Sequence, residues 1–209
     1  MADAMAGLSI QFEGYGSTNQ RLTLVQSTSP APLTSSASAN YARLGMLVID
    51  AGTEATARKV NENLPDSQTV DDALGMEHGH MQWLVSKRII TQPQFEILYP
   101  PSSLPVNEDE IDLTLWVILL RNITSKAKKN KWVVDPQPWQ RQYWHDIQRL
   151  KIIRNKLAHN RKAELSDESF KQLWQETEEV LLRLGVSKKD IDICLERDLE
   201  PERAKQAVQ

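Results

Sequence analysis

From Asn40 onward apolar positions recur at intervals of three and four, the period of helices that bury one stripe. Tyr41, Leu44, Leu47 and Val48 form the first stripe. Gly52 is expected to end it, and Thr53 to cap a second helix that Pro65 stops near Asn63. Residues 69–90 read as two short helices hinged between Gly75 and Gly79, and TQPQFEILYPP as a helical turn closed by Pro100. A further helix is expected to start at Asn107, where Glu110 supplies the reciprocal capping group, with Ile111, Leu115, Ile118, Leu119 and Ile123 turned inward. Residues 124–138 predict a loop pinned by Trp132, Val133 and Val134. The strongest period follows: Trp139, Tyr143, Ile147, Leu150, Ile153 and Leu157 predict one amphipathic helix over 138–159. Ser166 is placed to cap a helix burying Phe170, Leu173, Trp174, Val180, Leu181 and Leu184 as far as Gly185. Ser187 is placed to cap a short acidic helix reaching about Leu199. The sum is an all-α antiparallel helical bundle.

Ahead of this pattern, residues 1–39 keep no period, and STSPAPLTSSASA at 27–39 has the composition of a flexible linker. Three regions are therefore expected: a disordered Ser/Thr/Ala/Pro-rich segment over 1–39, a helical domain over 40–185, and an acidic helix and tail over 186–209. The chain has 209 residues, 40% of them hydrophobic, which suits one main core. It has no apolar run of about eighteen residues and no signal-peptide pattern, so a soluble cytoplasmic protein without a membrane partner is expected. The single cysteine, Cys194, cannot close an internal disulfide. No C-x-x-C occurs, and His78 and His80 lack a third ligand at metal spacing, so neither a metal nor a cofactor is expected.

A net charge of -3 conceals a strong asymmetry. Residues 1–120 carry 6 Lys/Arg against 14 Asp/Glu, residues 121–162 carry 12 against 2, and residues 163–209 carry 7 against 12. The central block, at +10, is a local field of the kind that attracts phosphate, and a solvated face balanced by acidic neighbours gives the same count. Lys128, Lys129 and Lys131 in KAKKNK are candidate contacts for an RNA backbone, as are Lys151, Lys156 and Arg161.

Inside that block the longest helix ends in Arg154-Asn155-Lys156-Leu157-Ala158-His159. Asn155 and His159 share a face, and Arg154 lies about 140° round from His159 at 3.6 residues per turn. Such a set suits cleavage of RNA without a metal. Arginine can hold a phosphate through two parallel hydrogen bonds and offset charge growing on its oxygens. Histidine can move the proton of a ribose 2′-hydroxyl or of the leaving oxygen, with Asn155 orienting the ring. The same spacing also fits a surface arginine paired with an acid and a histidine at a helix end.

The RN-KLA-H motif on the penultimate long helix resembles the HEPN superfamily (higher eukaryotes and prokaryotes nucleotide-binding). The segments NYARLGMLVIDAGTEATARK, EIDLTLWVILLRNI, KWVVDPQP, HDIQRLKIIRNKLAHN, FKQLW and LLRLG resemble its animal branch, typified by the HEPN domain of the DAZ-interacting zinc-finger ubiquitin ligase. The resemblance implies a bundle that forms a homodimer across its Arg/His helices. In active members it implies metal-independent endoribonuclease chemistry by Arg154, Asn155 and His159. It equally implies a noncatalytic RNA-binding or dimerisation adaptor with protein partners in ubiquitin-linked or innate-immune signalling.

Overall fold

A computed structural model describes residues 36–65, 67–101, 104–124, 132 and 134–196. The order is α1 (Ser36–Met46), a π-helical turn (Leu47–Ala51), α2 (Gly52–Asn61), α3 (Val70–Ser86), α4 (Gln92–Leu98), a 3-10 turn (Glu108–Glu110), α5 (Leu113–Asn122), α6 (Tyr143–Ala158), α7 (Asp167–Arg183) and α8 (Lys188–Glu196). The fold is all-α, and the described residues fall in one compact unit. The disorder expected of the N-terminal segment falls, as far as residue 35, outside the described residues, as does the end of the last helix beyond Glu196.

Several boundaries depart from the apolar pattern. The first helix starts at Ser36 rather than Asn40, and inside it the amide of Asn40 donates to the Asp167 carboxylate at 2.7 Å and to the Leu165 carbonyl at 3.3 Å. Gly52 does not break the chain. Its backbone is right-handed helical at φ -69 and ψ -40, and the widened π turn carries α1 into α2. The capping hydroxyl expected of Thr53 is instead a buried oxygen without a hydrogen-bond partner among the described residues. No hinge divides α3, since Gly75 and Gly79 both lie inside one helix whose start Thr69 and Asp72 cap reciprocally. Asn107 opens only the 3-10 turn. The main helix begins after Asp112, whose carboxylate accepts the Leu115 N–H at 2.7 Å. Trp139, expected on the inward stripe of the long helix, precedes α6 and is 75% exposed. Ser166 and Ser187 cap as expected, accepting from Ser169 and Asp190, and Gly185 ends α7 at φ +90.

α5 sits at the centre. Leu113, Leu115, Trp116, Val117, Ile118, Leu119 and Leu120 are all buried, the pattern of a helix covered on every side. It packs against α2 and α6, while α6 packs on α7 and α1 on α7. α6 turns Ile147, Leu150, Ile153 and Leu157 into this core. Each such side chain contributes about 1.5–3 kcal/mol by leaving water. The edge of that same face is locked by charge. Buried Asp146 accepts from Arg149 at 2.8 Å and from two nitrogens of Arg183 at 2.8 and 3.0 Å, tying α6 to α7. The outcome is a helix that cannot roll, which matters because it carries the candidate site.

Candidate functional site

The core face of α6 fixes what its remaining faces present. With Leu150, Ile153 and Leu157 inward, Asn155 and His159 fall on the open side of its last turns, while Lys151 and Arg154 stand at the edge of the core face. Tyr41 donates to the Leu157 carbonyl at 3.2 Å and pins this end. His159 caps the helix, its N–H donating to the Asn155 carbonyl at 3.0 Å, and its side chain is exposed. The chain then leaves through a turn built by Asn160, whose amide donates to the Glu164 carbonyl at 2.7 Å and whose side-chain oxygen accepts the Lys162 N–H at 3.2 Å. Asn155 is half-buried. Among the described residues no hydrogen bond joins its side chain to the His159 ring.

Arg154 points elsewhere, toward a cavity of about 510 Å³ whose floor includes Ile49, Ile111, Leu113 and Trp116. Its guanidinium lies 3.9 Å from the Asp112 carboxylate, a long and half-solvated pair. Such a pair contributes about 0–1 kcal/mol, so it holds the arginine only loosely. The same opening is lined by Asp50, Glu54, Glu108, Asp109 and Glu110. These carboxylates come from the π turn, α2 and the 3-10 turn, and their meeting is what the linear sequence concealed. Read along the chain, NEDEID is only a helix start rich in acids; folding puts it opposite the motif arginine.

Lys151 is the other predicted cation in this neighbourhood. Burial holds its ammonium below the usual lysine range, the charges of Arg121 and Arg154 push the same way, and Asp112 opposes them. Arg121 itself donates to Gln148 at 2.6 Å and lies 4.3 Å over the Trp132 ring, so it props the loop ahead of α6 rather than facing solvent. That contact also accounts for Trp132, which packs on a cation of the core edge. Lys156 is exposed on α6, and Arg161 is exposed beyond its end. Lys128, Lys129 and Lys131 lie outside the described residues, as does Val133. His80 bonds Asn122 at 2.9 Å and His78 packs edge-on against Tyr99 and Phe95, which gives both histidines a packing role.

The model of the DZIP3/hRUL138-like HEPN family matches residues 67–207, which include α3 to α8 and the whole Arg154–His159 motif. The chain belongs to this family. Human E3 ubiquitin-protein ligase DZIP3 is similar at 29% identity over 111 residues, a stretch covering 51% of this chain and 9% of that protein. The chain thus corresponds to a small part of that relative. No solved structure matches it. Among the described residues no helix is long and apolar enough to cross a membrane.

Proposed function

We propose that this HEPN domain acts as a metal-independent endoribonuclease, with Arg154, Asn155 and His159 of two facing copies forming one cleft. The observation that carries the reading is the presentation of the motif: an exposed His159 and a half-buried Asn155 stand on one open side of a helix that its core face and the Asp146 cluster hold rigid. His159 of one copy takes the proton of a ribose 2′-hydroxyl, and the freed oxygen attacks the adjacent phosphorus. The bond from phosphorus to the 5′-oxygen then breaks, and His159 of the other copy returns a proton to that leaving oxygen. The products end in a 2′,3′-cyclic phosphate and a 5′-hydroxyl. Arg154 swings from its weak contact with Asp112 to hold the phosphate oxygens as charge builds on them. Lys151, Lys156 and Arg161 steer the backbone in.

A second reading is favoured by the carboxylates around Arg154, which repel a polyanion. In it the same face of α6 is a noncatalytic interface of an RNA-binding or dimerising adaptor, with protein partners in ubiquitin-linked or innate-immune signalling. The purified chain and His159→Ala, incubated with labelled single-stranded and hairpin RNAs, separate the two. The nuclease reading expects His159→Ala to keep RNA binding while cleavage falls by about 10²–10⁴. Equal, trace-level cleavage by both chains would leave the adaptor.

A further inference from the structure

α3 is covered on one side only. Val70, Ala73, Leu74, Met81 and Leu84 are buried, whereas Met76 and Trp83 are 66% and 49% exposed. Asp72, Met76, Gly79, His80, Trp83 and Lys87 fall within one arc of about 100° on the exposed side. The indole of Trp83 is already ordered there. It stacks on the His80 ring at 5.6 Å, the Lys87 ammonium lies 5.8 Å from its centre, and His80 is itself tied to Asn122. A large side chain exposed in one fixed orientation loses little entropy on being covered, as interface anchors do.

Gly79 is the second clue. A mid-helix glycine disfavours the helix, yet nothing lies within 4 Å of where its Cβ would be, so packing within this chain gives no reason for it. The close approach of another backbone would. The charges then select the partner. The N-terminal end of the arc carries Asp72, whose carboxyl the Thr69 hydrogen bonds hold below the ordinary carboxylate range, and the C-terminal end carries Lys87.

We propose that this face docks a second copy of this chain, two α3 helices crossing antiparallel about a two-fold axis between Gly79 and His80. In that register every pair is equidistant from the axis. Asp72 meets the second copy's Lys87, Met76 its Trp83, and Gly79 its His80. A sulfur set against an indole, and opposite charges at both ends, make the surface complementary to itself, which is the requirement of an isologous contact. A parallel pairing would instead oppose like charges at both ends. The face lies on α3, so it is separate from any pairing across α6. Its acidic and basic ends cancel, which gives it no pull on a nucleic acid.

Sedimentation equilibrium of the full chain, Gly79→Leu and Lys87→Glu tests this. Gly79→Leu is expected to halve the particle mass relative to wild type while the melting temperature holds or rises, because leucine favours the helix and fills open space. If α6 does not pair, Gly79→Leu is a monomer; if it does, the larger assembly that two isologous contacts build falls to a dimer, so failure of the α6 reading leaves this result distinct. Lys87→Glu is expected to weaken association about tenfold, and adding Asp72→Lys to the same chain to recover part of the loss. A monomeric wild type, or an unchanged mass in Gly79→Leu, overturns the proposal. So does a Trp83→Ala chain that keeps its mass and loses RNA binding, since the face would then belong to nucleic acid.

Discussion

At the residue scale the site is governed by a balance between one arginine and the acids around it. Asp112 does two jobs, capping α5 through one oxygen and facing Arg154 with the other. Asn caps about as well as Asp, so Asp112→Asn removes the charge and keeps the helix start. We expect it to tighten RNA binding about twofold to fivefold at low salt, measured by fluorescence anisotropy, the range that a pair of about 0–1 kcal/mol allows. Weaker binding would mean that Asp112 positions the arginine for RNA. His145 supplies a pH test. Its Nδ1 is buried without a partner among the described residues, and burial first, then the Arg149 charge, hold its pKa below 6.5, against the smaller pull of Asp146. The unfolded chain therefore binds more protons than the folded one just below pH 6.5, and stability falls as the solution is acidified through that value. The melting temperature of wild type should drop more between pH 7 and pH 5 than that of His145→Gln. Parallel curves would show that other groups set the acid sensitivity.

At the scale of the element, α6 and α7 were legible because their apolar stripes, and at α7 the Ser166 cap, are local signals that the core then rewards. The join between α1 and α2 was not. Gly52 reads as a breaker, but in the fold it is an ordinary helical position: its backbone is right-handed, and a Cβ there would sit 3.6 Å from a Leu150 methyl, contact rather than clash. α3 misled for a related reason, since its glycines face outward and cost helix propensity without bending the backbone. Gly75→Ala, at the edge of the exposed side, should stabilise the chain by about 0.5–1 kcal/mol in urea unfolding. A loss would mean that the helix needs flexibility there. Trp139 failed as a core residue because it sits in a turn closed by the Gln140 N–H on the Gln137 carbonyl at 2.9 Å, ahead of the helix that starts at Tyr143, which leaves the indole outside the stripe.

At the scale of the molecule the motif was visible in the sequence and its electrostatic setting was not. Arg154, Asn155 and His159 are neighbours along one helix, so spacing suffices to find them. The carboxylates at 50, 54, 108–110 and 112 reach Arg154 only through packing of α2 and α5 beneath α6, which no local pattern announces. The rigidity of α6 depends equally on tertiary contact. Asp146→Ala strands two arginines at a packed junction and should cost about 3–5 kcal/mol by thermal or urea unfolding, far beyond an exposed charge. A change under 1 kcal/mol would show that the cluster is not what holds α6 to α7.

The central claim is a chemical one and is tested most directly by the ends of RNA fragments. A uniformly labelled hairpin RNA would be incubated with the wild-type chain in excess EDTA and the fragments read by mass spectrometry, with His159→Ala alongside. Fragments ending in 2′,3′-cyclic phosphate and 5′-hydroxyl, absent with His159→Ala, are the predicted result. Intact RNA after incubation with folded, self-associated wild type, or cleavage leaving 3′-hydroxyl ends, would contradict the account.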